Sequence, residues 1–180
     1  MTNRADNTDP TAVRAARSED YAPLAQLWYD TWHETQAAGL PDELKALRTL
    51  PDFERRLRAL GDDLKVFGPR GAPVAFCATT DTPDAPEAHG TAELYQLFAS
   101  PAARGTGAAA VLMEDAECRL IAKGHKRAHL KCLADNVRAL RFYEKCGWRN
   151  VGVQPVSIDT SDGPMQIDGA VLIKDLKGGP

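Results

Sequence analysis

The order of local patterns is the tightest constraint this chain puts on its own fold. Three strand-like segments follow one another with no helix between them: "LKVFG" from Leu64, "APVAFCATT" from Ala72 and "TAELYQLFAS" from Thr91. A turn, "GPRGA", joins the first two, and "DTPDAPEAHG" (81–90) separates the second and third. That last stretch holds two prolines, a glycine and three acids with little to bury, so it reads as an exposed loop. Three strands in succession exclude a strictly alternating dinucleotide-binding fold.

The flanking segments complete the order. "TAVRAA" (11–16) reads as a first strand. "SEDYAPLAQLWYDTWHE" then reads as a helix with Ser18 as N-cap, Asp20 in the first turn and Leu24, Leu27, Trp28 and Trp32 on one side. "PDELKALRTLPDFERRLRAL" is a second helix, interrupted near Pro51. Residues 104–123 form a long helix that stops at Gly124. "KRAHLKCLA" is a strand, and "DNVRALRFYEKCG" a helix capped by Asp135 or Asn136 and closed by Gly147. "RNVGVQPVSI" and "PMQIDGAVLIKDL" are the last strands. The predicted order is β-α-α-β-β-β-α-β-α-β-β. One domain is expected over 12–176, between loose tails at 1–11 and 177–180; a chain of 180 residues supplies one well-buried core.

Composition removes several function classes. The net charge of −3 disfavours a nucleic-acid partner. No apolar run approaches the ~20 residues of a membrane helix, and the polar start resembles no signal peptide, so the cytoplasm is expected. Cys77, Cys118, Cys132 and Cys146 form no CxxC pair and read as small hydrophobes in a reducing compartment. His125 and His129 are four apart, but Gly124 ends the helix before them, so no metal site is expected.

One loop carries chemistry. "SPAARGTGAAAVLMEDAE" places Arg104, Gly105 and Gly107 at the mouth of a helix. A helix start has unpaired N–H groups and the positive end of its dipole, and glycine lets a ligand approach both. The expected donors are the N–H groups of Arg104, Gly105, Thr106, Gly107, Ala108 and Ala109. The alternative is a plain loop, since neither a P-loop nor GxGxxG is present.

The wider pattern resembles the GNAT superfamily of N-acetyltransferases. Arg104, Gly107 and Ala109 fit its Arg/Gln-x-x-Gly-x-Gly/Ala signature. Asn136, Ala139, Phe142, Tyr143, Gly147 and Trp148 fit its second signature, with Trp for the usual Phe. The likeness is sharp over 93–152, looser over 13–78, and rests on strand order alone towards the C-terminus. Ala99 departs from it, standing where a bulky aliphatic is common.

The resemblance implies an α/β (α+β) fold, a mixed, mostly antiparallel sheet of about seven strands flanked by about four helices. It implies acetyl-CoA as co-substrate, no metal, and an amine acceptor on a small molecule or protein; homodimers are common in that family. The pyrophosphate would lie on the Arg104–Ala109 turn. The pantetheine arm would run beside Leu97, Phe98 and Ala99, where this strand splays from the next. Asn136 and Tyr143 share a helical face towards the cofactor, with Tyr143 as the acid for the leaving thiolate or, alternatively, a buried aromatic. Glu93 is the candidate base or an ordinary strand carboxylate, and Tyr95 shares its side by alternation. Tyr29 and His33, one helical turn apart, are candidates for the acceptor pocket, and one of Arg138, Arg141 and Lys145 for the 3′-phosphate. The rival readings are a CoA-binding sensor without turnover and a module acting on aminoacyl-tRNA.

Overall fold

The structure is a computed structural model and describes residues 11–35, 37–81 and 92–177. Seven strands make one sheet: β1 (Val13–Ala15), β2 (Leu64–Phe67), β3 (Ala75–Asp81), β4 (Ala92–Ala99), β5 (Arg127–Cys132), β6 (Arg149–Ile158) and β7 (Met165–Asp175). Their order across the sheet is β1-β2-β3-β4-β5-β7-β6. Every neighbouring pair is antiparallel except β4 with β5. A parallel pair needs a crossover, which the helix between these two strands supplies.

The helices are α1 (Tyr21–Thr35), α2 (Asp42–Leu47), α3 (Leu50–Ala59), α4 (Ala108–Ala122) and α5 (Val137–Lys145). Among the described residues they number five, against about four expected, because the second expected helix is broken. Arg48 leaves helical geometry at ψ 65°, and Thr49 then caps α3 by accepting the Asp52 N–H at 3.4 Å, with Pro51 in the first turn.

Two other helix starts differ from expectation. Ser18 makes no cap; a 3₁₀ turn over Ser18–Asp20 precedes α1. Asp20 is drawn away instead, fully buried against Arg14. The helix expected from Arg104 begins at Ala108, because Gly105 and Gly107 hold φ of 78° and 93°, outside the α region.

The core lies on both faces of the sheet. Leu24, Trp28, Phe53, Leu57 and Phe76 fill the side under α1 and α3. Leu94, Leu112, Met113, Leu120 and Tyr143 fill the side under α4 and α5. Among the described residues no helix is long and apolar enough to cross a membrane. Most of the acidic 81–90 stretch and most of both expected tails lie outside the described residues.

Candidate active site

The sheet opens in its middle. β4 pairs with β5 only through Ala92↔Ala128 and Glu93↔His129, and beyond them the strands part. On its other side β4 stays paired to β3 but carries a bulge: Ala78 faces Gln96, Thr79 faces Leu94, and Tyr95 is the extra residue. The bulge reverses the alternation. Leu94, Leu97 and Ala99 pack on the α4–α5 side, whereas Tyr95 and Phe98 pack on the α1–α3 side. Of the expected cofactor strand, Phe98 therefore stacks into the aromatic core beside Phe76 and Trp28 and presents only its backbone to the gap side.

The glycine turn sits at the start of α4. The N–H groups of Arg104 and Thr106 donate to Pro101 O and Ala103 O, both at 3.3 Å, and the Ala108 N–H reaches Thr106 Oγ1 at 3.4 Å. Among the described residues Gly105, Gly107 and Ala109 N–H have no such backbone acceptor. The expected row of donors thus narrows to these. A Cβ built on Gly105 or Gly107 would meet no atom within 4 Å, so the space before the turn is open. The Arg104 side chain is engaged elsewhere, in a two-point pair with Glu34 of α1 at 2.6 and 2.9 Å. That hydrogen bond holds the Glu34 carboxyl below its usual range.

α5 follows the gap. Asn136 caps it, its side-chain oxygen accepting the Ala139 N–H at 3.2 Å, and Gly147 closes it in the left-handed region at φ 85°. Tyr143 is buried among Cys77, Leu94 and Leu112. Burial pushes its phenol far above the ordinary range, reinforced by Cys132, Cys77 and Cys146. Arg138, Arg141 and Lys145 are exposed.

On the opposite face Glu93 opens into a cavity of about 940 Å³. It is 4% exposed, with Lys131 Nζ 3.1 Å and His129 Nε2 3.9 Å from its oxygens. Burial raises its pKa, and Lys131 opposes the shift without cancelling it. Tyr95 lines the same cavity, and its hydroxyl accepts from Arg56 Nη2 at 2.6 Å. Glu93 and Tyr143 thus lie on the two faces of the sheet, either side of the β4–β5 opening.

Tyr29 and His33 are brought together, but not into this cavity. Their ring centroids lie 4.1 Å apart in a tilted contact, and His33 Nδ1 lies 2.8 Å from Tyr29 O. Trp28 and Trp32, from the same helix, line the cavity instead. Sequence reasoning also missed Arg48 and Arg56 in its wall. The available signal was their spacing: Arg48, Asp52 and Arg56 recur every four residues.

Solved N-acetyltransferases share this fold. An N-acetyltransferase from Staphylococcus aureus Mu50 matches at TM-score 0.67 and 19% identity, over 92% of this chain and 98% of that one. A ribosomal-protein-alanine N-acetyltransferase from Brucella melitensis matches at TM-score 0.67 and 18% identity, over 92% and 99%. The PaiA N-acetyltransferase from Thermoplasma acidophilum, solved in complex with coenzyme A, matches at TM-score 0.63 and 17% identity, over 91% and 98%. No curated protein matches the sequence. The model of the acetyltransferase (GNAT) family matches residues 21–148. The chain belongs to that family and is an acetyltransferase.

Proposed function

We propose that the protein moves the acetyl group of acetyl-CoA onto a primary amine of a small molecule or a protein. The observation that carries this reading is the parting of β4 from β5 just beyond Glu93, beside a glycine turn with unpaired N–H groups. The residues fit the co-substrate. Gly105, Gly107 and Ala109 N–H, at the positive end of α4, suit a pyrophosphate, and the open space before both glycines leaves room for it. Leu97 to Ala99, without a β5 partner, suit an extended arm that adds as a strand. When bound, acetyl-CoA supplies an activated acyl thioester.

The remaining work falls to this chain. An alkylamine has a pKa of about 10 and is mostly protonated at neutral pH. Glu93 takes its proton on a carboxylate oxygen, directly or through a water. Backbone N–H groups of β4 facing the gap donate to the oxygen that gains charge. As the C–N bond forms the nitrogen releases its second proton to water, and as the C–S bond breaks Tyr143 Oη gives its proton to the departing sulfur and is reprotonated from water. Arg104, held by Glu34, ties the turn to α1. A sensor without turnover has no use for a buried carboxylate across the gap, so Glu93 favours the enzyme. Four free cysteines suit the reducing cytoplasm.

The test is calorimetric titration with acetyl-CoA, with NAD and ATP as controls, followed by thiol release against an amine panel. We expect acetyl-CoA alone to bind and thiol to appear only with an amine. Binding with no release for any amine supports the sensor, and no binding overturns both readings.

A further inference from the structure

The cavity that holds Glu93 has a second polar end, where Arg48 and Arg56 meet and Asp159 also lines the wall. Arg48 Nη2 and Arg56 Nη1 converge on one backbone carbonyl, Asp159 O, at 2.6 and 2.9 Å. Arg56 Nη2 donates to Tyr95 Oη, so both of its terminal nitrogens rest on neutral oxygens. Its Nε is buried and has no hydrogen-bond partner. The nearby carboxylate of Asp52 is shared between Arg48 at 3.2 Å and Arg55 at 2.6 Å. Among the described residues no carboxylate lies within ion-pair distance of Arg56. Its guanidinium instead lies 5.4 Å from the Trp28 ring centroid, a weaker source of compensation.

A cation held in a half-buried wall with an unused donor is costly unless something brings an anion to it. A carboxylate matches the planar fork of a guanidinium, and one brought to the terminal nitrogens of Arg56 supplies the missing counter-charge. The other end of the cavity is set by Glu93. Tyr95, which holds Arg56, is two residues further along β4, a rise of about 7 Å. Both ends line one cavity, so a single small molecule can lie between them.

We infer that the acceptor is a small amine carrying a carboxylate, its amine towards Glu93 and its carboxylate on Arg56 beside Arg48. This rests on the reading of the Glu93 cavity as the acceptor site. A polyamine or a lysine side chain has no carboxylate to offer Arg56, and is the poorer acceptor for that reason, although Asp81, Glu93 and Asp159 also line the cavity.

The test compares matched acceptors by thiol release from acetyl-CoA. The panel is the common L-amino acids, β-alanine and γ-aminobutyrate, each with its methyl ester, and spermidine. In the wild type we expect at least one free acid to be used with a kcat/KM about tenfold or more above that of its ester. Arg56→Met should bring the acid down to the level of the ester, with Arg56→Lys intermediate, while affinity for acetyl-CoA is kept. An ester or spermidine used as well as the acids overturns the inference, as does an acid-to-ester ratio unmoved in a folded Arg56→Met. So does a protein that binds acetyl-CoA and acetylates only uncharged or cationic amines. The wild-type comparison stands even if the variants do not fold. Acetyl-CoA that fails to bind is a different failure: it removes the acetyltransferase reading first, and this inference with it.

Discussion

Glu93 illustrates how one residue is tuned by where the chain carries it. Burial raises its carboxyl above the ordinary 4.5, with Lys131 pulling the other way. A base must be ionised, so activity should fall as pH drops through this raised value. We expect the acid limb of kcat/KM to lie above the ordinary glutamate range, and Glu93→Gln to abolish it with a loss of about 10² to 10³. An identical limb in that variant would sink the assignment. Stability should run the opposite way. A raised pKa means the fold prefers the neutral acid, so that contribution is present below 4.5 and lost as pH rises through the folded value. Thermal melts of Glu93→Gln should lack the decline that the wild type has in that window. The pairing of Glu93 with Tyr95 on one side was legible because alternation holds for those two residues. The spacing of Arg48 and Arg56 groups them with Asp52, but that they wall this cavity was not legible, since both reach the carbonyl of Asp159, more than 100 positions along the chain.

Secondary structure fixes how such residues are presented, and here two irregularities decide. The bulge at Tyr95 turns Leu97 and Ala99 to the face opposite Tyr95. No sequence signal marked it, because "AELYQLFA" is apolar on both of its sides and a reversal leaves no trace in the pattern. The start of α4 was legible in kind, as glycines before a helix, and wrong in position by four residues, since Arg104 looked like helix and is turn. Gly107 at φ 93° makes a sharp test. Gly107→Ala should cost about 1–2 kcal/mol of stability through backbone strain alone, since its Cβ meets nothing. Gly107→Glu should lose a similar amount on melting but bind acetyl-CoA at least tenfold more weakly than the alanine variant. Equal affinities in calorimetry would remove the anion site from this turn.

Across the whole molecule, strand number and sequence order were legible because turn residues bracket almost every strand. The insertion of β7 between β5 and β6 was not, as pairing order depends on contacts the local pattern does not encode. Asp20 was also hidden at that scale. It was read as a first-turn acid, yet it ties β1 to the turn between β2 and β3. Arg14 grips it at 2.6 and 2.9 Å, and the Arg17 and Gly71 N–H groups donate at 2.8 and 3.0 Å. Burial raises its pKa, but these partners outweigh burial and leave it below the usual value. Its contribution is present above the ordinary 3.8 and is lost as pH falls through the folded value. Asp20→Asn should cost about 3 kcal/mol in denaturant titration near neutral pH, because Arg14 would be left buried without a counter-charge. A loss under about 1 kcal/mol would mean water reaches that guanidinium. The opening of the sheet has a consequence in time as well as in space. Beyond Glu93 every second amide of β4 points away from β3 into a gap that no strand closes. In deuterated water those amides should exchange quickly in the free protein while their neighbours stay slow, a two-residue rhythm along one strand. Acetyl-CoA should silence that rhythm, so the molecule would keep a record, amide by amide, of how long its sheet has stood whole.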